Sequence, residues 1–399
     1  MRLTILQNAR YWVLLLLVFL ITFSSHPVIV TLSKSAGMEN GTILSRYIIL
    51  VFICLFILCL NVKSMLKAKV IRFSWVAWIL IVLFYLLTYS LFGTRKMMSD
   101  VRSIAICLVA IMVGWQLYLD KKRFQTLLLV FSGLILFVGM MQVFMNVGGF
   151  AILDRYTVDN KNALGVMLAT GFTIFLHLGL NRKERGGQKV FLFGLALLTF
   201  VVLLTIRARL GALTVMMLFV YLMYERFKSK NFVLYLLLGV LLATIILLIL
   251  PSSATDYFYN SFFQNREEDI TSGRIERNIA ALHFLSQHPF LGNLNQNESI
   301  GWVHNYLLNK AFEYGVVFSI PLMLLYFFLL FIIIKRCRRV DSQNTMSMGF
   351  FLLLIPFIIS MGEPTVPFGP GTATVFNFIV FGLSLRYSYN DSLLLKKQK

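Results

Sequence analysis

Two arginines stand inside an otherwise apolar run, "LLTIRARLGALTV", at residues 203–215. A charged side chain within a bilayer is costly, and charges that are retained there usually serve a function. Arg207 and Arg209 are therefore candidates for holding an anion, because a guanidinium group can form two parallel hydrogen bonds to a phosphate and stays protonated. The alternative is that both side chains extend to the phosphates of membrane lipids.

A second pair of arginines lies in the polar segment "QNREEDITSGRIERNIAALHFLSQHPFLG". Arg274 and Arg277 share one face of a predicted helix, because residues three apart are neighbours on a helix surface. Both project from its first turn, where the free backbone amides also favour anions. The alternative is that they pair with the preceding acidic residues Glu267, Glu268 and Asp269.

A histidine precedes the next apolar stretch, in "GWVHNYLLNKAFEYG". Imidazole titrates near neutral pH, so His304 suits the role of a general base; the alternative is a histidine that caps a helix at the membrane surface. Asn305 beside it is a candidate for substrate binding. Asn162 lies in the polar segment "DRYTVDNKNALG", which could bind sugar hydroxyls; the alternative is a plain solvated loop. Glu363, in "MGEPTVPFGPG", could orient a base or pair with an arginine.

The elements that must position these side chains are transmembrane helices. Of the 399 residues, 58% are hydrophobic and only 14% are charged, against about 25% charged residues in soluble domains. The composition indicates an all-α, polytopic membrane bundle formed as a single domain, residues 1–399. Apolar stretches of suitable length predict about twelve spans, near 11–32, 45–62, 73–92, 101–119, 125–147, 162–180, 190–206, 210–224, 232–250, 305–334, 346–361 and 373–386.

The distribution of charge predicts the orientation of these spans. One set of loops, together with both termini, holds 24 of the 37 lysines and arginines. By the positive-inside rule these segments and both termini are cytoplasmic. The formal net charge of +20 is then explained largely by topology, and nucleic acid is not expected as a partner.

The opposite face carries the arginines and the histidine. The predicted spans 190–206 and 210–224 are roughly 22 to 26 Å long at the helical rise per residue, shorter than the hydrocarbon core of about 30 Å. The turn that carries Arg207 and Arg209 therefore lies at or just below the outer membrane surface. The one long loop, 251–304, separates the ninth and tenth spans.

We expect the long loop to contain an amphipathic helix that lies on the membrane. Its N-cap is predicted among Asp269, Thr271 and Ser272, and its end near Pro289 and Gly292. The tenth stretch is too long for one simple span, and its first third is expected at the membrane surface.

Together these features resemble the O-antigen ligase and polymerase superfamily of bacterial membrane glycosyltransferases, over the whole chain. Arg209 and Leu213 match the Arg-x-x-x-Leu motif of its ligases, and Arg274 matches an arginine at the start of a loop helix. His304, Asn305 and Gly315 match a third motif. Phe318 departs from that motif at its last position, and Trp302 replaces a second histidine that many ligases contain.

The resemblance implies a function in the inner membrane of a bacterium, with an active site that faces the periplasm. The donor would be a glycan on undecaprenyl diphosphate, and the acceptor would be lipid A core or a second lipid-linked glycan. Arg209 and Arg274 would hold the diphosphate, Arg207 and Arg277 would assist, and His304 would be the base.

The resemblance favours an O-antigen ligase, with a repeat-unit polymerase as the alternative. The chain contains no Asp-x-Asp motif and its four cysteines lack metal-site spacing, so we expect a metal-independent reaction without a cofactor. The resemblance implies that this reaction inverts the anomeric centre. A flippase or secondary transporter is the competing class. We disfavour it because a transporter would carry its charges near the bilayer midplane, whereas here they cluster at one surface.

Overall fold

The computed structural model describes residues 2–37, 43–59, 68–146, 161–180, 186–206, 208–227, 273–294, 300–301, 303–337, 345–369 and 373–397. Every regular element in these ranges is a helix, which confirms the all-α prediction for the described part of the chain. Arg207, Trp302, the predicted span 232–250 and parts of the predicted loop 251–304 lie outside the described residues.

The helices are α1 (Arg2–Phe23), α2 (Pro27–Ser35), α3 (Ile43–Cys59), α4 (Lys69–Phe92), α5 (Met98–Gln116), α6 (Lys121–Asn146), α7 (Lys161–Gly179), α8 (Gly186–Thr205), α9 (Arg209–Phe227), α10 (Arg274–Gln287), α11 (Tyr306–Cys337), α12 (Gly349–Ile359) and α13 (Val375–Lys397), with a 3-10 helix at Thr345–Ser347.

Seven of the described helices are long and apolar enough to cross a membrane: α1, α4, α5, α6, α7, α8 and α11. Shorter apolar helices are formed by α3, α9 and Thr345–Ile359. Large apolar side chains such as Leu83, Leu197 and Phe331 are more than half exposed on these helices. Contiguous apolar surface of this kind is unfavourable in water and suits lipid. The chain is a multi-pass membrane protein.

Helix α7 is the most enclosed of the seven, since 89% of its apolar span is buried, against 22% for α4. Polar groups tie it to its neighbours: Asn377 Nδ2, on α13, donates to Thr170 Oγ1 on α7 at 2.9 Å and to the Leu352 carbonyl on α12 at 2.6 Å. Hydrogen bonds of this kind within an apolar interior favour one arrangement of the helices.

Glycines allow α5 and α13 to pack backbone to backbone. A Cβ atom on Gly114 or on Gly382 would overlap a carbonyl oxygen of the facing helix, and small residues at such contacts are typical of membrane bundles. Arg386 Nη1, on α13, donates to the Trp115 carbonyl at the end of α5 at 2.8 Å. An arginine can satisfy the last carbonyls of a helix in this way.

The predicted first span, 11–32, differs from the structure, which has two helices there. α1 ends at Phe23, and Pro27 begins α2. Proline lacks an amide hydrogen and disfavours helical backbone in the residue before it. The Ser24 hydroxyl, which donates to the Ile21 carbonyl at 2.6 Å, satisfies one acceptor at the end of α1.

The start of the loop helix also differs from the prediction. α10 begins at Arg274, and its N-cap is Gly273 in the left-handed conformation (φ 70°), without a side-chain cap bond. Thr271 and Ser272, predicted as caps, lie outside the described residues, as does Asp269. The predicted end is confirmed, because α10 stops at Gln287.

The long tenth stretch forms one helix, α11, that is interrupted near its start. Gly315 has φ 74° and ψ 165°, which is not a helical conformation. The turn after α10 fits against this interruption: Asn293 N donates to the Phe312 carbonyl, and Val316 N to the Pro289 carbonyl, both at 2.8 Å. The interruption thus fixes where α10 lies along α11.

Candidate functional site

The ends of several helices meet at one end of the bundle. A Cβ atom on Gly165, in the second turn of α7, would lie 2.9 Å from the Ala208 Cβ just before α9. A Cβ atom on Gly362, after α12, would lie 2.8 Å from Leu210 Cδ1. The Tyr306 amide, at the start of α11, donates to the Ser360 carbonyl at 3.0 Å. The beginnings of α7, α9 and α11 and the end of α12 therefore form one polar edge.

Arg209 is the first residue of α9, at this edge. Its side chain is half-buried. Leu210 beside it packs on Gly362, so Arg209 lies next to the 360–363 turn. The structure thus confirms the predicted break between 206 and 210 and brings Arg209 to the same edge as the other candidates. Its predicted partner, Arg207, lies outside the described residues.

The arginines of α10 reach the same edge from the loop. The helix packs on α11 through a buried face, where the Phe284 and Phe312 rings lie 5.2 Å apart. Its other apolar residues, Ile275, Ile279 and Leu282, are more than half exposed. An apolar face left exposed beside the bundle is the pattern expected of a helix at a membrane interface.

Arg274 contacts the turn that follows α12 through both terminal nitrogens. Its Nη1 donates to the Gly362 carbonyl at 3.4 Å, and its Nη2 lies 3.7 Å from Glu363 Oε1. The other carboxylate oxygen of Glu363 accepts a hydrogen bond of 2.9 Å from Asn162 Nδ2, at the start of α7. The suggestion from sequence that Glu363 pairs with an arginine is confirmed.

Arg277 lies one helical turn further, beside the candidate base. Its Nη1 is 3.5 Å from His304 Nε2. A guanidinium group has donors only, so this contact is a hydrogen bond only in the tautomer that leaves the lone pair on Nε2. A base needs such a lone pair, and a substrate hydroxyl that donated to Nε2 would take the place of Arg277. The carboxylates named as alternative partners for Arg277, Glu267, Glu268 and Asp269, lie outside the described residues.

The two asparagines have structural contacts at the edge. Asn305 Oδ1 accepts the Leu308 amide at 3.0 Å, and its Nδ2 donates to the Met361 carbonyl at 3.3 Å. Asn305 therefore caps α11 and ties it to the turn after α12. Asn162 holds Glu363. Their predicted role in substrate binding stays a prediction.

Sequence reasoning missed a buried ion cluster next to this edge. Lys310 Nζ lies 2.9 Å from Asp100 and 2.8 Å from Glu313, and the side chain of Lys310 is only 7% exposed. Tyr314 donates to Asp100 at 2.6 Å. The available signal was the spacing of Lys310 and Glu313 within an apolar stretch. Its partner on α5, distant in sequence, could not be read from the chain.

The arrangement as a whole suits the binding of an anion next to a base. Arg209, Arg274 and Arg277 bring three permanent positive charges to one edge, and the imidazole of His304 lies beside Arg277. Glu363 contributes a carboxylate that contacts Arg274. Guanidinium groups at a partly dehydrated surface interact with phosphate more strongly than they would in bulk water.

No protein-family model matches the chain, and a search of curated proteins finds no match.

Proposed function

We propose that this protein is a membrane glycosyltransferase that moves a glycan from undecaprenyl diphosphate to an acceptor sugar hydroxyl, as an O-antigen ligase that acts on lipid A core. The observation that carries the proposal is the meeting of Arg274, Arg277 and His304 at the edge from which Arg209 begins α9. The motif resemblance named for these residues supplies the reaction class.

The donor fits the position of the charges. Its polyprenyl tail belongs in the membrane, and its diphosphate belongs at the surface of the bilayer. Arg209, at the start of a membrane helix, and Arg274, on the loop helix, would contact the diphosphate from two sides. Fixed donors that face a leaving group stabilise the charge that develops on it, without reorganisation during the reaction.

The proposed reaction is a direct displacement. The acceptor hydroxyl oxygen attacks the anomeric carbon of the donor glycan, and the bond from that carbon to the diphosphate oxygen breaks. His304 Nε2 takes the hydroxyl proton, and undecaprenyl diphosphate leaves with its charge held by the arginines. One attack from the face opposite the leaving group inverts the anomeric centre.

The proposal includes a topology. It requires about twelve spans in a bacterial inner membrane, both termini in the cytoplasm, and the loop 251–304 in the periplasm. What supports it is the separation of charge: Arg123, which donates to Asn8 at 2.8 Å, and Arg386 lie at the end of the bundle away from the site. Such basic ends are typical of cytoplasmic faces.

A repeat-unit polymerase is the second candidate. It uses the same donor with a second lipid-linked glycan as acceptor. Two features of the sequence favour it, Phe318 at the last position of the histidine motif and Trp302 in place of a second histidine.

A lipopolysaccharide gel from a deletion strain separates the candidates. Loss of the ligase leaves lipid A core alone while polymer accumulates on undecaprenyl diphosphate. Core capped with a single repeat unit identifies the polymerase instead. An unchanged ladder contradicts both. Complementation with wild-type protein should restore the ladder, and complementation with Arg209→Ala should not, at equal amounts of protein in the membrane.

A further inference from the structure

Glu363 is a nearly buried carboxylate between the bundle and the loop helix. Its side chain is 8% exposed, and both of its oxygens have partners: Oε1 faces Arg274 at 3.7 Å and Oε2 accepts from Asn162 at 2.9 Å. Asn162 belongs to α7, the most enclosed of the long helices. The carboxylate is therefore hydrogen-bonded to a largely buried helix of the bundle, whereas the arginine belongs to a helix of the loop.

The contact fixes the guanidinium group rather than the carboxylate. Arg274 is 35% exposed, and a long side chain at such a surface position has several rotamers of similar energy. The Gly362 carbonyl and the Glu363 carboxylate contact two different nitrogens of one planar group. These two acceptors, at 3.4 and 3.7 Å, belong to one turn and favour one orientation of that plane.

We infer that Glu363 is a positioning residue, which holds Arg274 in the orientation that meets the donor diphosphate. The inference rests on the proposed function, since it names the diphosphate as the group that Arg274 binds. Glu363 itself touches neither the donor nor the acceptor. It acts through Arg274, and Asn162 acts through Glu363.

The direction in which diphosphate affinity changes on removal of the Glu363 charge distinguishes a positioning role from simple charge repulsion. A carboxylate near an anion site weakens anion binding by repulsion, so its removal alone should strengthen the binding of a diphosphate. If Glu363 positions Arg274, the change Glu363→Gln should weaken binding in spite of the lost negative charge. Glu276 provides the matched control, because it is an exposed carboxylate on α10, two residues from Arg274.

The experiment measures the Kd of undecaprenyl diphosphate for the purified full chain in detergent. We expect Glu363→Gln to raise the Kd by about tenfold, and Glu276→Gln to leave it unchanged or slightly lower. In the Arg274→Ala background, Glu363→Gln should cause no further weakening, because the residue through which it acts is gone. Glu363→Asp keeps the negative charge but moves the carboxylate away from Arg274 by the length of one methylene group, so it should also weaken the binding of undecaprenyl diphosphate.

Four results would overturn the inference. Binding by Glu363→Gln that equals or exceeds the wild type would show that repulsion is the whole effect. Further weakening in the Arg274→Ala background would show that Glu363 acts through the fold. If Glu363→Gln does not yield folded protein, tight binding by Glu363→Asp overturns it. If the wild type does not bind undecaprenyl diphosphate, the proposed donor fails and the inference fails with it.

Discussion

At the scale of single residues, His304 tests whether the site catalyses glycan transfer or only binds the donor. A positioned base typically contributes about a hundredfold to ten-thousandfold to a rate. We expect His304→Ala to lower glycan transfer by that factor while donor binding through the arginines persists. Transfer by membrane vesicles to purified acceptor measures the rate. His283→Ala is the control, because His283 is exposed on α10 and its ring contacts Gln287, at 3.2 Å. Equal losses in the two variants would contradict the role of His304.

A second residue-scale prediction concerns the contribution of Lys310 to the stability of the fold. It is buried between Asp100 and Glu313, so its removal leaves a carboxylate without its counter-charge in an apolar setting. Breaking a buried pair from one side costs about 3–5 kcal/mol, whereas replacing both partners costs much less. We therefore expect Lys310→Met to destabilise strongly, and the double change Lys310→Met with Asp100→Asn to recover part of the loss. Denaturant unfolding in detergent measures both, with the exposed Lys121→Met as the control.

At the scale of elements, the interruption of α11 holds the loop helix in place. Gly315 has a φ and ψ combination that is almost restricted to glycine, and other residues there cost about 1–3 kcal/mol. A Cβ atom at this position would also overlap the Phe290 carbonyl. We expect Gly315→Ala to lower the free energy of unfolding by at least this amount, and to lower transfer because α10 and its arginines shift.

A glycine in open surroundings is the control for that change. A Cβ atom on Gly194, within α8, would meet nothing within 4 Å. Gly194→Ala should therefore be neutral, or stabilise by about 0.5–1 kcal/mol through the lower entropy of the unfolded chain. A loss at Gly194 as large as the loss at Gly315 would mean that the conformation of Gly315 is not the cause.

The positions of the helices were predictable from sequence where apolar length was the dominant local signal. Helix ends that depend on a proline or on backbone conformation were predicted less well. Apolar length alone located α4 to α9 to within a few residues. The break before Pro27 was missed, because average hydropathy across 11–32 outweighed a proline signal that was present in the sequence. The N-cap of α10 was assigned to residues with capping side chains, but the structure uses Gly273, whose left-handed backbone makes the turn.

The candidate site was predictable as a set of residues but not as a set of contacts. The cost of charge in apolar segments identified Arg209, and helical spacing identified Arg274 and Arg277. The neighbours of Arg274 come from a distant part of the chain: it contacts Gly362, 88 positions later, and the adjacent Glu363, in the turn after α12. Pairings of this kind depend on how helices pack, which the local pattern of one segment does not contain.

At the scale of the whole molecule, the orientation of the bundle determines whether the proposed donor can reach the site. Of the four cysteines, Cys59, Cys107 and Cys337 are buried, and Cys54 is exposed within the apolar helix α3. In a Cys54→Ser background, single cysteines introduced elsewhere can therefore be labelled one at a time with a thiol reagent. His283→Cys reports on the end that carries the site, and Lys121→Cys reports on the opposite end.

The charge distribution gives the expected result. Lysines and arginines concentrate at the end that contains Lys121, and such ends remain in the cytoplasm. A membrane-impermeant maleimide should therefore label position 283 in intact spheroplasts, and position 121 only after permeabilisation. The reverse pattern would put Arg209, Arg274 and His304 on the cytoplasmic side. A ligase needs its acceptor on the periplasmic side, so that result would exclude the proposed reaction even if the same residues bound a diphosphate.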